Sequence, residues 1–149
     1  MAYNEPLNRG TPDSDLEFCS AQSIPTDGAD DISENLIDLQ NTAPRLLNGA
    51  RAKLKVQVTT AITVASGTSS LLNLNLTCAA TETTVGAQTT VATAVIQLGD
   101  AESAGQIYEA ALPERVPVNL TRYLALVLEP VSDDTLYSAG AIDAWIDFD

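Results

Sequence analysis

The stretch Lys53-Leu-Lys-Val-Gln-Val-Thr-Thr-Ala-Ile-Thr-Val64 decides the fold. Leu54, Val56, Val58, Ile62 and Val64 fall on one side of an extended chain, and Lys55, Gln57, Thr59, Ala61 and Thr63 on the other. A side-chain period of two is the pattern of a pleated strand with one dry and one wet face. The same alternation continues in Leu72, Leu74, Leu76 and Cys78 against Asn73, Asn75 and Thr77. It returns near the end in Ile142, Ala144, Ile146 and Phe148 against Asp143, Trp145 and Asp147. Sixteen threonines fit the reading, because β-branched side chains suit a half-exposed sheet face.

The alternation predicts strands over about 18–23, 35–39, 53–65, 71–80, 90–98, 107–112, 122–130 and 140–148. Turn chemistry separates them: Asn48-Gly49, Ser66-Gly67, Gly86, Gly99-Asp100, Gly105, Pro113 with Pro117, Asp133-Asp134 and Gly140. No segment carries a 3.6-residue apolar stripe, and Ala101 to Gly105 is long enough only for a turn. Short strands with one dry face each predict an all-β fold, a two-sheet antiparallel β-sandwich of jelly-roll type. An immunoglobulin-like sandwich would place its tryptophan between two cysteines, whereas Trp145 follows both Cys19 and Cys78.

The chain has 149 residues, enough for one domain with a core that needs no staple. Seven Lys plus Arg against twenty Asp plus Glu give a formal net charge of −13. Such a field repels phosphate, so neither nucleic acid nor an anionic membrane is an expected partner. The acids crowd at the start, where residues 1–38 hold nine of the twenty against a single base, Arg9. Residues 1–17 therefore read as an acidic arm, ordered against a partner if at all, and residues 18–149 as the sandwich domain. Cys19 and Cys78 form no C-x-x-C pair and read as packed, reduced thiols. The polar start has no apolar h-region, and the expectation is a cytosolic chain or one assembled in the cytosol.

Chemistry is sparse. There is no histidine, which removes the Ser-His-Asp and Cys-His arrangements and the commonest transition-metal ligand. Asp30-Asp31 and Asp133-Asp134 are adjacent pairs, and neighbours on a strand point to opposite faces rather than to one proton. Asp27 to Glu34 has glycine second and no flanking helix, so it reads as a turn rather than an EF-hand. No phosphate-cradling glycine motif occurs, and no cofactor, metal or catalytic residue is assigned. Recognition is the better reading. Arg45, Arg51, Lys53 and Lys55 gather four of the seven bases within eleven residues, either to offset acids on the same sheet or to meet an acidic patch on another subunit. Trp145 falls by parity on the outer face between Asp143 and Asp147, where a bare indole calls for a cover, either another protein or the chain's own arm. Tyr123, at the start of a strand whose Leu124, Leu126 and Leu128 face inward, poses the same question.

Three stretches carry a likeness to a known family: Ser20 to Ile24 with Asn35 to Leu39, Lys53 to Ala61 running into Ser69 to Cys78, and Thr121 to Glu129 with Gly140 to Ala144. In strand pattern and order the chain from Phe18 onward resembles the jelly-roll cement (decoration) proteins of tailed bacteriophage heads, of the Bordetella-phage type. The acidic extension departs from the short start of that family, and Asp13, Asp15, Leu16 and Glu17 become candidates for a capsid tether. The resemblance implies a non-enzymatic virion protein, made in the host cytoplasm and placed on the outer capsid surface. Its implied partners are the major capsid protein and itself, as a dimer or trimer. The alternatives are a carbohydrate- or receptor-binding sandwich of a phage fibre or lectin, for which one Trp, four Tyr and two Phe are a thin aromatic supply, and a hydrolase on a jelly-roll scaffold.

Overall fold

A computed structural model describes residues 16–39, 52–65, 70–113, 122–131 and 136–148. The described residues form nine strands and no α-helix: β1 (Glu17–Ser23), β2 (Asp31–Ile32), β3 (Ile37–Asp38), β4 (Ala52–Val64), β5 (Leu72–Ala79), β6 (Thr89–Leu98), β7 (Ile107–Ala111), β8 (Tyr123–Pro130) and β9 (Tyr137–Phe148). They make two antiparallel sheets. One runs β1-β9-β4-β7; the other runs β2-β8-β5-β6, with β3 also pairing β8. The chain changes sheet at β1–β2, β3–β4, β4–β5, β6–β7, β7–β8 and β8–β9, so each sheet presents one apolar face to the other.

The core is the dry set of the alternation. Leu54, Val56 and Val58 of β4, Leu72, Leu74, Leu76 and Cys78 of β5, and Leu124, Leu126 and Leu128 of β8 all have no exposed surface. Phe18, Ile37, Ile142 and Tyr137 join the same apolar cluster from the flanking strands. Burying a leucine side chain contributes about 1.5–3 kcal/mol, so this period-two set is what drives the two sheets together.

Three local features were not expected. The strand at 35–39 is only Ile37–Asp38, and Asp31–Ile32 forms a second short pairing with β8. The β1 and β6 strands each bulge at an alanine with positive φ (50°), Ala21 and Ala94. That conformation costs roughly 1–2 kcal/mol in an L-residue. In both cases the freed N–H is caught by a neighbouring strand: Ala21 N donates to Asp143 Oδ1 (2.6 Å) and Ala94 N to Asn75 Oδ1 (2.7 Å).

Gly140 is the third. It reads as a turn residue in the sequence, yet it lies inside β9, which starts at Tyr137. Its φ is +146°, and a Cβ there would sit 2.8 Å from both Ile24 Cδ1 and Ile62 Cγ1. The Ile24 N–H also donates to the Gly140 carbonyl (3.1 Å). Glycine is needed for close approach rather than for a reversal of the chain.

Candidate interaction surfaces

The outer face of the β1-β9-β4-β7 sheet is built by register. Lys53, Lys55 and Gln57 of β4 lie opposite Asp147, Trp145 and Asp143 of β9, and opposite Ala111, Glu109 and Ile107 of β7. Glu17 of β1 faces Trp145 from the other side. Lys55 Nζ is 2.7 Å from Asp147 Oδ2 and 3.8 Å from Glu109 Oε2, and Lys53 Nζ is 3.3 Å from Glu109 Oε1. The basic stripe is thus spent on acids of its own sheet, where exposed pairs are worth about 0–1 kcal/mol each. Arg45 and Arg51 lie outside the described residues.

Parity puts Trp145 on the outer face, and its exposure there is 4%, apart from the inter-sheet apolar cluster. Its direct register neighbours are Lys55, with a side chain 21% exposed, and Glu17. Long charged side chains cover apolar surface with their stems while their heads stay wet. Alternation along a strand reports which face a residue takes; it does not report what lies over that face.

The tether candidates divide. Glu17 opens β1, and Leu16 packs against the core, so both belong to the sandwich rather than to the arm; Asp13 and Asp15 lie outside the described residues. Burial, then the charges of Asp143 and Glu34, hold the Glu17 carboxyl above the usual glutamate range.

Tyr123 opens β8 half-buried, with the Arg122 guanidinium 5.1 Å from its ring centroid. Arg122 Nε and Nη2 donate to Asp38 Oδ1 (3.0 Å) and Oδ2 (3.2 Å), a two-pronged pair beside β3. Sequence reasoning missed Arg122 and Asp38, which lie 84 positions apart and share no local pattern.

The two ends of the sandwich differ. At the β8–β9 end, where Leu72 pairs Pro130 and Val64 pairs Tyr137, three large apolar side chains are exposed: Leu71 (41%), Val131 (47%) and Leu136 (38%). Val131 N donates to Leu71 O (2.8 Å), and Leu136 Cδ2 lies 3.2 Å from where a Cβ of Gly28 would be. Asp27, Asp30, Asp100 and Glu102 stand in the connections of this end. Asp27 Oδ1 accepts from Ala29 N (3.0 Å), which makes the acidic stretch before β2 a turn. The described bases, Lys53, Lys55 and Arg122, lie toward the opposite end, where Ala79 pairs Tyr123 and Ala52 pairs Phe148.

The outer face of the second sheet is not the wet face that alternation predicts for β5. Asn75 (7% exposed) and Thr77 (3%) are buried under the connection 80–88 and the β6 bulge. They line a polar depression of about 220 Å³ with Asp30, Gln88, Thr90 and Glu129. Its groups bond mainly to one another: Asn75 Nδ2 donates to Glu129 Oε2 (2.6 Å), Thr77 Oγ1 to Gln88 Oε1 (2.6 Å), and Gln88 Nε2 to Thr83 O (3.3 Å). Burial, then the Glu129 charge, raises the Asp30 carboxyl above its ordinary value. Such a network holds a loop onto a sheet.

Both cysteines are buried, and burial pushes the Cys19 thiol up to about 12, out of the reactive range. No helix among the described residues is long and apolar enough to cross a membrane. The chain matches no protein-family model and no curated protein sequence.

Proposed function

We propose that the chain is a structural, non-enzymatic protein of a tailed-phage head, a jelly-roll cement protein that binds the outer capsid surface and bridges neighbouring major capsid subunits as a small homo-oligomer. The observation that carries the reading is the β8–β9 end. It gathers three of the four exposed large apolar side chains found among the described residues, set among acids and away from the described bases. An exposed apolar group rimmed by one sign of charge suits docking onto a surface with apolar hollows between lysines and arginines. Bound copies add interface area between capsid subunits, and their binding free energy becomes stability of the shell. Repetition over a symmetric lattice multiplies a modest affinity.

Among the described residues the carbohydrate- or receptor-binding alternative has two depressions to work with, the polar one of about 220 Å³ and one of about 320 Å³ between Ile32, Glu34, Leu36 and Glu82. No described aromatic ring lines either, and the main amide, hydroxyl and carboxylate groups of the first already bond to each other. The test is to mix purified protein with cognate heads, sediment them and image the pellet. Decorated heads with raised thermal tolerance are expected, and Leu71→Ser/Val131→Ser should reduce occupancy at least tenfold. Bare heads with the wild-type chain, together with specific retention on a glycan array, would replace this reading by the alternative.

A further inference from the structure

We propose that β6 is a self-association edge, through which two copies pair antiparallel across a twofold axis centred on Val91 and join their β2-β8-β5-β6 sheets into one. This deepens the self-association named above by giving it a surface, and it can be tested without any capsid.

Edge strands expose unpaired N–H and C=O groups, and proteins blunt them by shortness, by charge or by cover. Among the described residues the other edges are blunted. β2 and β3 have two residues each, β7 has five and carries Glu109, and β1 carries Glu17. β6 is different: ten residues, Thr89–Leu98, paired on one side only among the described strands. It contains no charged side chain, and it is rich in threonine, valine and isoleucine. Its bulges add twist but leave Thr89, Thr90 and Thr93 exposed.

The occupant follows from charge. A body of net charge −13 repels its own copy over most of its surface. From Val56 to Gly99, however, the chain carries one charged side chain, Glu82. β6 brings no charge of its own to such a contact, with Asp30 and Glu129 standing across the depression from Thr90, and a strand paired with itself through a twofold axis is self-complementary by construction. An interface of this kind has no ion pairs to lose, so salt should strengthen it by screening the remaining repulsion.

The experiment is sedimentation velocity of the full chain from low to high micromolar concentration, at low and high salt. A concentration-dependent dimer that tightens with salt is expected. Thr89→Glu/Thr93→Glu sets glutamates opposite one another across the axis and should weaken the dimer about tenfold or more while leaving circular dichroism unchanged. If that double variant does not fold, Thr93→Glu alone, one exposed side chain on the same edge, carries the test. A wild-type chain that stays monomeric, a dimer loosened by salt, or a variant that dimerises like wild type would each overturn the assignment. Loss of head binding by a chain that still dimerises would instead count against the capsid reading alone.

Discussion

Replacing Gly140 by alanine tests the close approach of β9 to Ile24 and Ile62. The new Cβ would lie 2.8 Å from Ile24 Cδ1 and from Ile62 Cγ1, and 3.2 Å from Ile24 Cγ1. Carbon pairs prefer about 3.5–4.0 Å, so two core side chains from different elements must yield at once. Ile62 is 1% exposed and Ile24 2%, which leaves neither an open side to move into. Overpacking of this kind costs typically about 1–3 kcal/mol. A left-handed backbone adds about 1–3 kcal/mol, against roughly 0.4–1 kcal/mol regained by stiffening the unfolded chain. The net expectation is a loss of about 2–4 kcal/mol, a large part of the ~5–15 kcal/mol that holds a domain together. For a chain of this length that corresponds to a fall of roughly 6–12 °C in Tm. Urea unfolding followed by the emission of Trp145, the single tryptophan, reads it directly. A double-mutant cycle locates the cause: Ile24→Ala should cost less in the alanine background than alone, with a coupling of about 1 kcal/mol. A Gly140→Ala protein within about 0.5 kcal/mol of wild type, or strict additivity with Ile24→Ala, would refute the close-approach argument.

Two further outcomes follow from the outer sheet face. Because Trp145 is 4% exposed, its native emission should be blue-shifted and resist acrylamide, and Trp145→Ala should destabilise the fold by about 2–4 kcal/mol; strong quenching of the native protein would place the ring in water. The raised Glu17 carboxyl favours the folded state while protonated. That contribution is fully present below the ordinary glutamate value of 4.5 and is lost as pH rises through the higher folded value. Glu17→Gln should therefore raise Tm at pH 7 and lose most of that advantage below pH 4.5, whereas an advantage equal at both pH values would mean that charge is not the cause.

How much of this was legible in the sequence differs from strand to strand. In β4 the alternation Leu54, Val56, Val58 against Lys53, Lys55, Gln57 gave both the strand and its buried face, because the inner side is wholly apolar and the outer side polar. In β5 the same pattern named the core but misjudged the other face. The loop that buries Asn75 and Thr77 returns from beyond the strand, and no local period encodes it. The two-residue strands β2 and β3 were only half visible, since two residues cannot display a period and their partner is the distant β8.

The same division holds for the surfaces. Composition determined an acidic chain without histidine, side-chain alternation made it all-β, and residue order placed the bases Arg45, Arg51, Lys53 and Lys55 close together. The tertiary structure decided that Lys53 and Lys55 are occupied by Glu109 and Asp147, that Trp145 is covered, and that Leu71, Val131 and Leu136 share one end. The physical reason is range. Side-chain alternation and turn chemistry act between near neighbours in the chain, and the sequence states them directly. Coverage, ion pairing and the meeting of loops depend on which distant strands become neighbours, and that is settled only when the two sheets close on one another.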